Sequence, residues 1–434
     1  MMVTMRALAA TALSLMLLTG PMLPGLISAP AVDAGMAGGT GLWVFAEPGI
    51  GERPVLSLIK SAHKSIKLEI YLITDTSIIS ALHAAHRRHV DVRVLLEQHP
   101  YGAASYAQAG YSELKSAGVN VRWADEQAFA LTHEKAMEVD NSRAGIFTFN
   151  LSYSGFDSNR EFGVIDGNRS DAKAIGAIFN ADWNRKPAHV STGRLVVSPI
   201  NSRRDLVRLV DSARHTLDLY EEEMDDSSFE SHLISAAKRH VRVRLLTSNA
   251  GSGVSRLASH GVHVAILGSP YIHAKAIVVD RSRVFVGSEN VSSASLDQNR
   301  EMGIMLGRGQ ARAVERVFAR DWGTASGVSG GGPHGGKGKI KVRVSAHPAS
   351  VARGQRLTIE GHTVSGAQCT IKVTYPDGYV SHAPEVQGSR PSGRSGWVSW
   401  SWHVGSTVTG KAHALVRCYT KKAHGSGSTA FGIR

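Results

Sequence analysis

The chain contains two copies of one segment, and this internal repeat constrains its fold more than any other feature. Residues 68–95 align with residues 219–246 at a constant offset of 151 positions, which becomes 140 after a loop that is longer in the first copy. Each copy has an alternating strand, a helix-like segment (77–88 and 228–239) and a second strand. This order predicts an α/β layer with parallel strand pairing in each copy.

The repeat divides most of the chain into domains. The two homologous halves are predicted at residues 41–195 and 196–325, and a glycine-rich stretch at 326–339 predicts a flexible linker. Residues 340–434 alternate strand-like runs with turn residues, which is typical of a small β-sandwich. Val398, Trp400, Trp402 and Val404 recur at period two on one face, so we expect the tryptophans to fill the core of this domain rather than form an exposed platform for lipid or sugar.

Residues 1–34 have the composition of a secretory signal peptide. Arg6 precedes an apolar run that is broken at Pro21 and followed by small residues. An uncleaved membrane anchor is the alternative, although the prolines disfavour a straight spanning helix of about 20 residues. Cys369 and Cys418 are the only cysteines, and an even pair in an exported protein predicts a disulfide, with two buried thiols as the alternative. We therefore expect a secreted or cell-envelope location.

The positive charge is concentrated at one end of the chain. Residues 337–434 carry fourteen Lys and Arg but only three Asp and Glu, which accounts for +11 of the net charge of +13. A basic domain of this kind favours anionic partners, namely an acidic membrane, a cell-wall polymer or nucleic acid. The rest of the chain is nearly neutral and lacks the basic stripe that is typical of a DNA channel.

The residues with the most chemical interest recur at matching positions in both halves. Residues 132–140 read THEKAMEVD and residues 272–280 read IHAKAIVVD, so that Lys follows His by two positions and Asp follows by seven. A hydroxyl residue, an Asn and an Arg-Glu pair recur at the same offset. Burying His or Lys is costly without a partner, so their joint retention favours function over preservation by duplication alone. The predicted site residues are His133, Lys135, Asp140, Asn150, Glu161, His273, Lys275, Asp280, Ser288, Asn290 and Glu301, with Thr148 at the position equivalent to Ser288.

This set of side chains fits the cleavage of a phosphodiester. Two His and two Lys from paired strands would meet in one cleft, where one neutral imidazole attacks phosphorus and the other protonates the leaving oxygen and then activates water. The glutamates would orient the imidazoles, and no cluster of carboxylates indicates a metal or another cofactor. The groups expected to bind the phosphoryl oxygens are Lys135, Asn150, Lys275 and Asn290.

The paired segments resemble the His-x-Lys-x4-Asp signatures of the phospholipase D superfamily, over residues 41–325. The resemblance implies a duplicated α/β/α sandwich with one active site between the halves, a phosphohistidine intermediate and no metal. It implies His133 as the nucleophile, His273 as the general acid, and motif aspartates that are more structural than chemical. The first half departs from the pattern, because residues 147–150 read FTFN where residues 287–290 read GSEN.

The superfamily includes lipases, headgroup transferases, cardiolipin synthases and nucleases, and the fold does not choose among them. We expect hydrolysis of phospholipid headgroups by a monomer, with transfer to alcohols as a variant. The alternatives are a secreted nuclease that uses the basic domain to hold DNA, and a non-catalytic protein that binds an anionic polymer. The acidic run at 221–226 is expected to be solvated, with a carboxylate at the cleft mouth as the alternative.

Overall fold

The computed structural model describes residues 41–189, 191–249, 251–328, 338–376, 381, 383–386, 389–405, 409–420 and 423–434. The predicted signal peptide and the central part of the predicted linker lie outside these residues. Ser326–Val328, which the sequence assigned to the linker, instead forms a strand at the edge of the second half. No helix in the described part of the chain is both long and apolar enough to cross a lipid bilayer.

The first half is a mixed β-sheet with strand order β1-β7-β6-β5-β2-β3-β4. Its strands are β1 (Trp43–Glu47), β2 (Ser65–Ile70), β3 (Asp91–Leu96), β4 (Asn120–Trp123), β5 (Lys135–Val139), β6 (Arg143–Phe147) and β7 (Asn159–Asp166). Its helices are α1 (Arg53–Lys60), α2 (Thr76–Arg87), α3 (Ala104–Ser116) and α4 (Arg169–Trp183), with a π-helical turn at Ser154–Ser158. Strands β2, β3 and β4 run parallel, as the repeat predicted.

The second half repeats this arrangement with strand order β16-β11-β10-β9-β13-β14-β15-β8. Its strands are β8 (Leu195–Ser198), β9 (Thr216–Tyr220), β10 (Arg242–Thr247), β11 (His263–Ile266), β12 (Tyr271–Ile272), β13 (Lys275–Val279), β14 (Arg283–Gly287), β15 (Glu301–Leu306) and β16 (Ser326–Val328). Its helices are α5 (Ser202–Asp211), α6 (Ser227–Lys238), α7 (Ser252–Ser259), α8 (Ser293–Asp297) and α9 (Arg308–Thr324). Strand β12 leaves its own half and pairs with β7 of the first.

The two sheets share one central core. Ala136 and Ile146 of the first sheet lie in the same buried cluster as Ala276 and Val286 of the second, together with apolar residues of α4 and α9. The outer face of the first sheet packs against α1, α2 and α3, and that of the second against α5, α6, α7 and α8. Apolar residues on both faces of each sheet explain why β6 and β14 are almost wholly apolar, whereas β2 and β9 alternate apolar with charged or polar residues. The predicted duplicated α/β/α architecture is confirmed.

The C-terminal region is built from two β-sheets, with orders β17-β25-β24-β21-β22 (with β19 beside β25) and β18-β20-β23. The strands are β17 (Gly338–Lys339), β18 (Arg343–His347), β19 (Ser350–Val351), β20 (Arg356–His362), β21 (Gln368–Thr374), β22 (Arg390–Pro391), β23 (Trp397–His403), β24 (Gly410–Tyr419) and β25 (Ala423–Ile433), with a 3-10 turn at Pro384–Val386. Trp400 and Trp402 are buried in its core. Cys369 and Cys418 lie opposite each other on β21 and β24 and form a disulfide.

Candidate active site

Each half contributes one His and one Lys at the start of an equivalent strand. Lys135 is the first residue of β5 and Lys275 is the first residue of β13, and both ammonium-bearing side chains are completely buried. In each half the Lys Nζ donates a hydrogen bond of 2.6 Å to the backbone carbonyl of its own motif histidine, His133 or His273. Because residues two apart on a strand share a face, this bond fixes both side chains at the same end of the strand.

Each half supplies a glutamate that contacts the motif histidine of the other half. Nδ1 of His133 donates to Oε2 of Glu301 at 2.8 Å, and the backbone amide of His133 donates to the carbonyl of Arg300. In the opposite direction, Nδ1 of His273 lies 2.6 Å from Oε1 of Glu161, in ion-pair contact rather than in a straight hydrogen bond. Each histidine is therefore oriented by a residue of the other half, and the predicted site residues His133, Glu161, His273 and Glu301 meet in one cleft.

The environments of the two histidines differ. Burial, with a smaller contribution from the nearby lysine charges, lowers the pKa of His133 to about 4, although Glu301 acts against both. Burial likewise lowers the pKa of Lys135 to about 7, opposed by Glu301. Burial also acts to lower the pKa of Lys275, but the adjacent carboxylates, chiefly Glu222, outweigh it and raise that pKa. The first half therefore favours a neutral imidazole, and the second holds a charged lysine.

Different side chains hold the two orienting glutamates in place. Thr148 donates through Oγ1 to Glu161 and accepts the backbone amide of Phe162. Its equivalent, the predicted site residue Ser288, does not contact the corresponding glutamate; its Oγ accepts the backbone amide of Met302 at 3.1 Å. The supporting role of Thr148 in the first half has therefore passed to other residues in the second.

Ser295 and Asn299 support Glu301 instead. Ser295 Oγ and Asn299 Nδ2 donate to Oε1 of Glu301 at 2.6 and 3.1 Å. Sequence reasoning missed Ser295 because it searched for residues that are repeated between the halves, and Ser295 aligns with Gly155. It also missed Asn299, although Asn159 stands at the equivalent position directly before the Arg-Glu pair. A search for polar residues close in sequence to Glu301 would have found them.

The two predicted asparagines occupy equivalent places beside the cleft. The side-chain oxygens of Asn150 and Asn290 are both buried and have no hydrogen-bond partner among the described residues. Asn290 is further held by its backbone amide, which donates to Ser295 Oγ at 2.9 Å. These unpaired oxygens are acceptors, so they do not themselves bind phosphoryl oxygens; the Nδ2 groups of the same two amides are the donors that can.

Asp140 and Asp280 lie away from the cleft, and their inclusion among the catalytic residues is corrected. Each follows the far end of its strand, five residues and about 16 Å from the motif lysine. Asp140 accepts the backbone amides of residues 63, 64 and 65, and Asp280 accepts those of residues 214, 215 and 216. These contacts join the end of one strand to the start of its neighbour, which is a structural role.

The expectation that the acidic run after β9 is solvated is wrong for three of its members, including Asp226, which is 3% exposed and pairs with Arg203. Glu221 is 2% exposed, and Glu222 turns into the cleft, where Oε2 lies 2.8 Å from Nζ of Lys275 and 3.5 Å from Nε2 of His273. Glu223 is exposed. The charge of Lys275 and the hydroxyl of Tyr271, which donates to Oε1 of Glu222 at 3.0 Å, satisfy the buried carboxylate.

The arginines beside the orienting glutamates tie the halves together. Arg160 of the first half makes a bidentate hydrogen bond to Asp321 of the second, at 2.6 and 3.0 Å. Arg300 of the second half pairs with Asp182 of the first, with Nε 2.8 Å from Oδ2. The sequence showed that all four positions repeat, but not that they pair across the interface. These exchanged ion pairs flank the exchanged His–Glu pairs and hold both strands in register.

Among the described residues, Glu97, His99 and Glu126 have a spacing that suits a metal ion. The oxygens of Glu97 accept the backbone amides of His99 and Thr132 at 2.8 and 2.7 Å. His99 and Glu126 form an exposed ion pair with each other. These contacts account for all three residues without a metal ion.

Comparison with known proteins identifies the family. The profile of the family described as "Cardiolipin synthase, PLD-like domain" matches residues 55–183 and 206–322. A mitochondrial cardiolipin hydrolase of Xenopus laevis is 32% identical over 129 residues, which are 30% of this chain and 59% of that protein. A cardiolipin synthase of Halalkalibacterium halodurans is 35% identical over 119 residues, 26% of this chain and 22% of that protein. The matched regions thus span less than two thirds of either relative.

A solved structure shares the fold at low sequence identity. Polyphosphate kinase from Porphyromonas gingivalis superposes with a TM-score of 0.54 and 16% identity, over 65% of this chain and 50% of that one. This likeness concerns the arrangement of strands and helices alone. The family profile matches both halves and more than half of the residues, so the chain belongs to the phospholipase D-like family described as "Cardiolipin synthase, PLD-like domain".

Proposed function

We propose that the protein is a metal-independent phosphodiesterase that hydrolyses phospholipid headgroups through a phosphohistidine on His133. The observation that carries the proposal is the exchange of carboxylates between the halves, with Glu301 on Nδ1 of His133 and Glu161 on Nδ1 of His273. This exchange engages Nδ1 of both rings and leaves Nε2 for the reaction. Both imidazoles then act on one phosphorus atom, one as nucleophile and one as acid.

The division of roles follows from the surroundings of each imidazole. His133 is the nucleophile because burial keeps its ring neutral, with a pKa lowered to about 4. His273 is the general acid because a carboxylate faces each of its ring nitrogens, Glu161 at Nδ1 and Glu222 near Nε2. A carboxylate at each ring nitrogen provides an acceptor for both N–H groups that the imidazole carries when it acts as the acid. When His133 attacks phosphorus, His273 donates its proton to the leaving oxygen and the alcohol departs. His273, which is now neutral, then activates water.

Two lysines and two asparagines stabilise the phosphoryl group. The charges of Lys135 and Lys275 balance the negative oxygens, and the amides of Asn150 and Asn290 donate to them. Burial strengthens these interactions because little water competes in the cleft. The positive charges of the two lysines stabilise the phosphoryl oxygens as a metal ion would, so we expect turnover to persist in excess chelator.

The relatives support a lipid substrate, since they are named as a cardiolipin hydrolase and cardiolipin synthases. We also propose that the protein is exported. The disulfide between Cys369 and Cys418 supports export because disulfides persist in oxidising compartments. The basic C-terminal domain would hold the enzyme at an anionic surface such as an acidic membrane.

The test is turnover of a substrate panel by the purified chain in excess chelator. The panel comprises phospholipid vesicles, single- and double-stranded DNA, and bis-p-nitrophenyl phosphate. We expect release of lipid headgroups, no covalent intermediate in His133→Ala, and an intermediate that accumulates in His273→Ala. His232→Ala is a matched control, because that histidine also pairs with a carboxylate, Asp211, but lies on the surface.

The other outcomes separate the alternatives. Cleavage of DNA without lipid turnover, together with DNA affinity that falls steeply with salt and depends on residues 338–434, would support the nuclease. Absence of phosphodiester cleavage on the whole panel would support a non-catalytic binding protein. Loss of turnover in chelator would overturn the metal-independent mechanism.

A further inference from the structure

Glu222 places a third carboxylate in the cleft, in addition to the two that orient the histidines. Its Oε2 lies between Nζ of Lys275, at 2.8 Å, and Nε2 of His273, at 3.5 Å. The side chain of Glu222 is 15% exposed, so it remains accessible from the cleft. Nε2 of His273 is the atom that exchanges protons with the leaving and incoming oxygens, and Glu222 therefore borders the position where these oxygens bind.

The position of Glu222 is fixed by its neighbours. Tyr271 donates its hydroxyl to Oε1 of Glu222 at 3.0 Å, and Asn249 Nδ2 donates to the backbone carbonyl of Glu222 at 3.0 Å. Asn249 Nδ2 also donates to the Tyr271 hydroxyl at 3.1 Å. A carboxylate that hydrogen bonds hold in one position can orient a ligand, whereas a mobile surface carboxylate cannot.

The first half has no carboxylate at this place. Tyr71 aligns with Glu222 in the repeat, and its ring packs edge-on against His133 with centroids 4.6 Å apart. Nζ of Lys135 lies 5.0 Å from the centroid of the same ring. Glu222 therefore distinguishes the side of the cleft that protonates and deprotonates oxygen from the side that attacks phosphorus.

We propose that Glu222 is a specificity-determining residue that positions the acceptor oxygen and favours water, or a polyol with neighbouring hydroxyl groups, over a simple alcohol. The inference rests on the proposed function, because it concerns the second step of that reaction. Its carboxylate accepts one hydrogen from the acceptor while Nε2 of His273 accepts another. Water offers two hydrogens on one oxygen, and a polyol offers them on adjacent hydroxyls.

The step balances without a further reactant. After the first alcohol has left, His133 carries the phosphoryl group on Nε2 and His273 is neutral. The oxygen of water forms a bond to phosphorus as the phosphorus–nitrogen bond to His133 breaks. One water proton passes to Nε2 of His273. The other stays bonded to the water oxygen, which becomes part of the phosphate monoester, and only forms a hydrogen bond to Glu222 during attack. Both histidines return to their starting protonation states, and Glu222 stays ionised throughout.

A simple primary alcohol such as 1-propanol has a single hydroxyl hydrogen, which His273 takes. It leaves Glu222 without a donor and places an alkyl chain against a carboxylate, which costs the desolvation of a charge. Glycerol avoids this cost because a second hydroxyl faces Glu222. The ratio of transfer to hydrolysis should therefore be low for 1-propanol and higher for glycerol in the unaltered protein.

The experiment measures the partition between hydrolysis and transfer, using phospholipid vesicles in water with 1-propanol or glycerol. The ratio does not depend on how much protein is folded, so it reports positioning rather than stability. We expect Glu222→Ala to raise transfer to 1-propanol relative to hydrolysis by roughly tenfold, the effect of losing one charge-assisted hydrogen bond. Tyr271→Phe, which removes only the supporting hydroxyl, should change the ratio in the same direction by a smaller factor. Glu223→Gln, an exposed neighbour, is the matched control and should leave the ratio unchanged.

Each remaining outcome decides against the inference. An unchanged ratio in Glu222→Ala, with turnover intact, would overturn the inference and leave the proposed function standing. Faster turnover with every acceptor in equal measure would show that Glu222 obstructs the cleft instead of orienting the acceptor. Absence of turnover in the unaltered protein, with lipid and with bis-p-nitrophenyl phosphate, would overturn the proposed function and this inference together.

Discussion

Oε2 of Glu301 lies 2.8 Å from Nδ1 of His133, although the two residues belong to different halves of the chain. Glu161 and His273 make the reverse pair. Each half supplies the carboxylate at Nδ1 of the other half's histidine, so a complete site requires both halves in register. The gene duplication has therefore produced two halves that are functionally interdependent rather than two independent sites.

Glu301→Gln should lower kcat while preserving the fold. The amide still accepts a hydrogen bond from His133 but no longer stabilises the imidazolium that forms on attack, which in comparable His–carboxylate pairs costs roughly 10²- to 10⁴-fold. Steady-state turnover of bis-p-nitrophenyl phosphate measures the effect. Glu126→Gln is the matched control because Glu126 pairs with an exposed histidine, His99. A loss of less than threefold in Glu301→Gln would contradict the orienting role.

Asp140→Ala should reduce stability far more than catalysis. The carboxylate accepts three backbone amides, and the residue has a positive φ of 56°, which Ala tolerates poorly. We expect a loss of about 3 kcal/mol in the free energy of unfolding, measured by urea denaturation. Asp140→Asn keeps an acceptor and tolerates this backbone conformation, so it should lose less. A large fall in kcat with unchanged stability would return Asp140 to the catalytic residues.

The same carboxylate makes a defined contribution to pH dependence. Burial acts to raise the pKa of Asp140, but the amides of residues 63–65 outweigh it and lower the pKa below its ordinary value. A carboxylate with a lowered folded-state pKa stabilises the protein above its unfolded-state pKa, and this stabilisation is lost as the pH falls through the folded-state value. The difference in stability between the parent protein and Asp140→Ala should therefore shrink in acid.

The sequence alone predicted the features that the repeat carries. The two halves, the parallel strands and the paired motifs all follow from residues that occur twice at one offset, because duplication preserves the spacing between a strand and the side chains at its end. It also predicted the buried tryptophans of the C-terminal domain, since alternation at period two marks one face of a strand.

The features that the sequence did not predict depend on which side chains come into contact when the two halves fold together. Glu222 and Ser295 align with Tyr71 and Gly155, so the repeat gave no reason to single them out. Asn299 aligns with Asn159, but the repeat does not show that it contacts Glu301. The solvation of the acidic run was inferred from its charge, and burial next to Lys275 reversed that expectation for Glu222. A local pattern cannot reveal a partner that is brought close only by the folding of both halves.

Removing one partner of an exchanged ion pair should strongly destabilise the interface between the halves. Arg160→Met leaves the buried carboxylate of Asp321 with only the hydroxyl of Tyr220, at 2.7 Å, and should cost about 3–5 kcal/mol. Chemical denaturation measures this loss. The double variant Arg160→Met/Asp321→Leu should recover much of it, because no charge is left uncompensated. Arg281→Met, which breaks an exposed pair with Glu315, is the control and should cost less than about 1 kcal/mol.

An equal loss in the single and double variants would contradict this account. It would mean that the packing of the arginine, and not the unpaired carboxylate of Asp321, determines the stability of the interface. A double-mutant cycle separates the two terms because the residues are in direct contact.

The activity should have an acid limb well below the ordinary pKa of histidine. Attack requires neutral His133, whose pKa burial lowers to about 4, so kcat/KM should rise as the pH increases through about 4. Between this value and the ordinary pKa of about 6.5, the unfolded chain binds more protons at this residue than the folded protein does. The His133 contribution to stability should therefore also increase with pH in that interval.

The general acid must carry a proton, so loss of that proton contributes to the basic limb, and a second contribution should come from Lys135, whose pKa burial lowers to about 7. Loss of its proton removes a charge that binds the phosphoryl oxygens, so kcat/KM should fall as the pH rises through about 7. Lys135→Arg tests the assignment, because a guanidinium stays charged at these pH values and should move the basic limb to higher pH even if overall activity is reduced. An acid limb near 6.5 would show that burial does not set the pKa of His133, and a basic limb that Lys135→Arg leaves in place would assign that limb to the general acid alone.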